Sequence, residues 1–114
     1  MREAESIPAL PDSVFRLITR LRRWHNADLV ILFGSYACGK ATNRSDIDLL
    51  VVAPSVAEAE ELTRRSGQLT AGQFPRIDLV ISSREELDQA RGERAAFLRS
   101  VFENGLVLAG AVRD

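Results

Sequence analysis

Apolar positions recur along the chain with two different periods, and their alternation predicts strands interleaved with helices. Val14, Leu17, Ile18 and Leu21 stand at i, i+3, i+4 and i+7, the spacing of one helix face. Asp12 suits the cap of that helix, Arg16, Arg20, Arg22 and Arg23 take its wetter side, and Trp24 closes the apolar stripe. Asn26 suits a left-handed stop. Leu29–Phe33 reads as a first strand. Asp46–Ala53 reads as a second, ended by Pro54, and Arg76–Ile81 as a third. Ser55-Val-Ala-Glu58 and Ser83-Arg-Glu-Glu86 are capping boxes, opening helices to about Ser66 and about Ala90. Between them, Gly67 to Pro75 is expected as a loop. After Gly92 a last helix, from about Glu93 to Glu103, sets Phe97, Leu98, Val101 and Phe102 on one side. Asn104-Gly105 stops it, and Leu106–Ala109 reads as a short edge strand.

The connections constrain how these elements assemble. The second and third strands are joined through a helix, as a parallel right-handed crossover requires. Asp46, Asp48 and Asp78 each lie early in those strands, so parallel pairing brings all three to one end of the sheet. If the first strand runs antiparallel to the second, it delivers Gly34-Ser35 to the same end. The expected fold class is α/β, a small mixed sheet with helices packed on it.

Composition narrows the class without identifying the chemistry. A chain of 114 residues points to one domain, residues 12–114, behind a loose leader at 1–11. A net charge of −1 argues against an autonomous nucleic-acid binder. Cys38 is the single cysteine, so no internal disulfide forms, which suits a reducing cytoplasm. The first ten residues carry Arg2, Glu3 and Glu5 and no apolar core of a signal peptide, and no run is long enough to span a membrane.

The aspartates change the picture. Side chains alternate across a strand, so Asp46 and Asp48 share one face while Ile47, Leu49 and Val51 share the other. Carboxylates are disfavoured in strands and costly to bury without a cation. Mg²⁺ takes such oxygen ligands. Three carboxylates can hold two divalent ions, the clamp used for in-line phosphoryl displacement. In that arrangement Asp46 and Asp48 bridge the ions, and Asp78 completes the one that activates an attacking hydroxyl. Gly34 permits close backbone approach, and Ser35, if it starts a short helix, offers a hydroxyl and N–H groups to phosphates. The expected chemistry moves a nucleoside monophosphate to an acceptor and releases pyrophosphate.

Gly34-Ser35, Gly39, Ser45-Asp46-x-Asp48 and Asp78 in an apolar strand together resemble the DNA polymerase β-like nucleotidyltransferase superfamily. The small minimal nucleotidyltransferase branch is the nearest likeness, over roughly residues 12–109. The resemblance implies the polymerase β-like nucleotidyltransferase fold, two Mg²⁺ ions, ATP or another nucleoside triphosphate as donor, and Gly34, Ser35 and Ser45 as nucleotide contacts. It further implies a HEPN-type toxin as partner, the chain acting as antitoxin by adding AMP to it. One departure is Cys38, where the branch often has Arg in the Gly-Ser loop; Lys40 stands two residues on.

Plainer readings stand beside these. Arg76 shares a strand face with Asp78 and can simply pair with it. Ser35 can be an ordinary helix cap. Lys40 and Arg44 fit solvated loop charges, Cys38 a small loop residue, and Trp24, Phe97 and Phe102 core packing. An antitoxin that acts by binding alone, and a stand-alone enzyme on a small hydroxylated molecule, are the alternative functions. Oligomeric state stays open.

Overall fold

The computed structural model describes residues 10–110; residues 1–9 of the expected leader lie outside them, as do 111–114. Eight elements follow in order: α1 (Asp12–Trp24), β1 (Leu29–Phe33), β2 (Ile47–Ala53), α2 (Val56–Thr70), β3 (Ile77–Ser83), α3 (Arg84–Gln89), α4 (Gly92–Asn104) and β4 (Leu106–Gly110). The strands form one sheet in the order β3-β2-β1-β4. β1 pairs antiparallel with both β2 and β4, and β2 pairs parallel with β3. The mixed sheet and the parallel crossover are therefore as expected.

The two interior strands are apolar along nearly their whole length because both of their faces are covered. On one face Val30, Leu32, Leu49 and Val51 pack with Val14, Leu17 and Leu21 of α1 and Leu62 of α2. On the other, Leu29, Ile31, Leu50 and Val52 pack with Leu98 and Val101 of α4. Among the described residues no helix is long and apolar enough to cross a membrane.

α1 buries Val14, Leu17, Ile18 and Leu21, the stripe that periodicity marks out. Two details differ from expectation. Pro11 holds the cap position without a side-chain hydrogen bond, and Asp12 sits in the first turn, where the helix dipole favours its charge. Trp24 does not close the apolar stripe; it is 74% exposed. It is the last residue of α1, and the chain leaves the helix directly afterwards. Asn26 is left-handed as expected (φ 55°), and the next N–H, of Ala27, returns to the Leu21 carbonyl at 2.9 Å.

Both serine caps form: Ser55 Oγ accepts from the Glu58 N–H at 3.2 Å and Ser83 Oγ from the Glu86 N–H at 3.1 Å. α2 runs to Thr70, one turn beyond its expected end, so the loop after it begins later than Gly67. Leu69, seven residues after buried Leu62, packs against the core. That contact outweighs the roughly 1 kcal/mol that a helical glycine costs.

Candidate active site

Two strand pairings converge on one residue. Asp48 is opposite Phe33 across the β1–β2 pair and opposite Asp78 across the β2–β3 pair. Phe33 is the last residue of β1, so the turn that starts at Gly34 begins beside Asp48. The same sheet end therefore holds Gly34, Asp46, Asp48 and Asp78. The Ile47 N–H donates to the Arg76 carbonyl at 2.8 Å, extending the parallel pairing to the level just after Asp46. Asp46 itself precedes β2 rather than opening it, and Arg76 likewise precedes β3.

Gly34 is required here for two reasons. Its φ of +75° is the left-handed region, and a Cβ would overlap a carboxylate oxygen of Asp48. The segment that follows is a turn and not a short helix, so the condition for Ser35 to stand at a helix start is not met. The Ala37 and Cys38 N–H groups both donate to the Gly34 carbonyl at 3.1 Å, and the Lys40 N–H donates to the Ser35 carbonyl at 2.9 Å. The chain then reverses at Gly39, whose φ is +72°. Ser35 accordingly caps no helix. Ser45 closes a second turn: its Oγ accepts the Thr42 N–H at 2.8 Å, and its own N–H reaches the Thr42 carbonyl at 3.1 Å. That turn aims the chain into Asp46. Cys38, Lys40 and Arg44 are exposed, as solvated loop residues are.

Charge is concentrated at this end. The half-buried Asp48 carboxyl is held above the ordinary carboxylate range, first by burial and then by the nearby charges of Asp78 and Asp46. Arg76 meets this field from the open side. Its Nε and Nη2 both bond Asp78 Oδ1, at 3.0 and 2.8 Å, so the simple pairing of these two residues is real. The Arg76 guanidinium is stabilised in its charged form by Asp78 and, more weakly, by Asp46.

The donor set suits a hard divalent cation. All three side chains offer carboxylate oxygens, and the like-charge stress on Asp48 is what a cation relieves. Yet among the described residues no three acidic, His or Cys side chains stand close enough to hold an ion, while Asp78 is turned to Arg76. Mg²⁺ commonly takes one or two carboxylates and completes its shell with waters and phosphate oxygens. Asp46 and Asp48 offer oxygens of that kind, while the Asp78 carboxylate is engaged by Arg76.

A groove of about 440 Å³ opens beside Asp78, walled by Ser66, Gly67, Thr70, Gln73 and Arg76. The sequence pattern puts Gly67 and Thr70 in a loop, after a helix ending at about Ser66; the signal for a helical wall is Leu69, in register with Leu62. A larger hollow of about 650 Å³ lies between α2 and α3 and touches none of the candidate residues.

The sequence matches the nucleotidyltransferase domain family over residues 16–108. Among curated proteins, none matches it. Among solved structures, the crystal structure of a toxin–antitoxin with AMP-PNP is 27% identical, covering 84% of this chain and 73% of that one, with a TM-score of 0.53. A structure from Sulfolobus solfataricus, provisionally assigned as a nucleotidyltransferase, is 16% identical over 92% of this chain and 93% of that one, with a TM-score of 0.49. A family match across most of the chain, on a mixed four-stranded sheet that collects an acidic trio beside a glycine turn, leads to one conclusion: the chain belongs to the nucleotidyltransferase domain family.

Proposed function

We propose that the chain transfers AMP from ATP to a hydroxyl of a partner toxin of the HEPN type, with divalent metal, and acts as its antitoxin. The observation that carries this reading is Asp48, which faces Gly34 on one side and Asp78 on the other at a single sheet end. Support for the partner comes from the toxin–antitoxin structure that shares 27% of its residues with the aligned chain.

In this reading Asp46 and Asp48 hold the metal and the triphosphate, and Asp78 serves the acceptor side. Gly34, lacking a side chain, leaves room for the phosphates against the turn, which Ser35 and Ser45 flank. Two divalent ions, when bound, supply Lewis acidity to the entering and leaving oxygens. The acceptor oxygen forms a bond to the α-phosphorus as the bond from that phosphorus to the bridging oxygen breaks. Pyrophosphate leaves with the electron pair, and the hydroxyl proton passes to the Asp78 side or to water. Arg76 gives up Asp78 as this assembly forms.

Incubation with labelled ATP, Mg²⁺ and the purified product of the neighbouring gene, where the family resemblance implies that the toxin is encoded, should label that product. Asp46→Ala and Asp48→Ala should each abolish the label; full labelling by either variant sinks the reading.

A second reading, neutralisation by binding alone, draws on exposed Cys38 in the Gly-Ser loop and on Asp78 being engaged by Arg76. Undiminished neutralisation by an Asp46→Ala/Asp48→Ala double variant would favour it.

A further inference from the structure

We infer that the outward face of α1 docks an acidic surface of the partner protein; the inference rests on the toxin-partner reading above and assigns it a contact site. Arg16, Arg20 and Arg23, at i, i+4 and i+7, form one exposed line along the helix. Exposed aromatic side chains border the line. Trp24 lies to one side, 74% exposed, and Phe15 to the other, 41% exposed and about two helical turns before Arg22. Arg64, Arg65, Arg76, Arg84 and Arg94 each bridge a carboxylate. The four arginines of α1 make no ion pair among the described residues, and Asp12 is the helix's only acid. A chain of net charge −1 thus gathers four positive charges on one 13-residue helix.

Such a face is out of place on an ordinary solvated helix because of Trp24. A tryptophan left in water forgoes a large gain from burial. Trp and Arg are the residues most enriched at the centres of protein interfaces, where a partner removes both from solvent. The charge fixes the partner's sign. A nucleic acid is disfavoured because four guanidiniums on a convex helix neutralise about four phosphates at most, with no groove to hold the strand.

Placement adds a reason. α1 packs on the sheet face that carries Leu49 and Val51, whereas Asp48 and Asp78, alternate to these, belong to the opposite face. A partner held by α1 leaves the carboxylates open to nucleotide and raises the local concentration of its own acceptor segment.

The test compares wild type with Arg16→Glu/Arg20→Glu/Arg23→Glu and with Trp24→Ala, titrating the purified neighbouring-gene product at about 50 and about 300 mM NaCl. Wild type should bind with an affinity that falls with salt. The triple variant should bind ~30-fold more weakly at low salt and lose that salt dependence. Trp24→Ala should cost ~10-fold at either salt. Unchanged melting and ATP affinity would show that the variants remain folded. Equal binding by wild type and triple variant overturns this inference and leaves the toxin-partner reading intact. No binding by wild type overturns that reading and this inference with it. Binding of a single-stranded RNA oligonucleotide by wild type, lost in the triple variant, with no protein binding, assigns the face to nucleic acid and overturns the acidic-protein partner.

Discussion

Asp48 and Asp78 are direct register partners across the parallel β2–β3 pair, and each is met by a different answer to its charge. Asp78 has Arg76 at 2.8 Å. Asp48 forms no ion pair with the described residues and is pushed toward its protonated form by burial and by its two acidic neighbours.

That asymmetry sets a stability prediction. The Asp48 pKa is raised on folding, so the folded state binds its proton more readily than the unfolded chain does. The charged form therefore costs stability at neutral pH, and the cost fades as pH falls through the folded pKa. In chelator at pH 7, Asp48→Asn should melt about 2–4 °C above wild type, an amount kept small by the residue's partial exposure. The gap should narrow as pH drops into the carboxylate range. Adding Mg²⁺ should stabilise wild type and not the variant. Calorimetric melts with and without chelator decide it; equal midpoints at pH 7 would refute the assignment.

Gly34→Ala meets two obstacles, a left-handed backbone and the Asp48 carboxylate. It should destabilise the fold by about 2–3 kcal/mol in denaturant titrations. Combined with Asp48→Ala the clash disappears, and the added cost of Gly34→Ala should fall to about 1 kcal/mol, the backbone share. Additive effects in that double-mutant cycle would mean the two residues do not touch.

Arg76→Gln removes an ion pair whose arginine is largely exposed, so the melting point should move little, by less than about 1 kcal/mol. Divalent-ion affinity should rise instead, by about 2- to 5-fold, because Asp78 no longer has to exchange one cation for another. Direct Mn²⁺ titration of the nucleotide-free protein measures this. A weaker ion affinity would show that Arg76 orients Asp78 for the metal rather than competing with it.

Ser55→Ala removes the side-chain acceptor that holds the first turn of α2. The expected loss is about 1 kcal/mol in chemical denaturation. Since Ser55 lies at the far end of β2 from Asp46 and Asp48, nucleotide binding should not change.

Much of this architecture is written locally. The four-residue stripe of α1, the two serine caps and the apolar runs of β1 and β2 are one-dimensional patterns, so they could be read before any coordinates. A crossover helix between β2 and β3 then points to parallel pairing, which brings Asp48 and Asp78 to one sheet end; that they stand level is set by the register of the folded sheet. What pairwise order cannot supply is side-chain direction and the reach of a contact. Only the packed chain shows that Arg76 closes on Asp78, that Leu69 draws α2 a turn past Gly67, that Ser35 enters a tight reversal instead of a helix, and that Trp24 stands in solvent. Each depends on what lies across space from a residue rather than beside it in sequence, and that neighbour exists only once the sheet has formed.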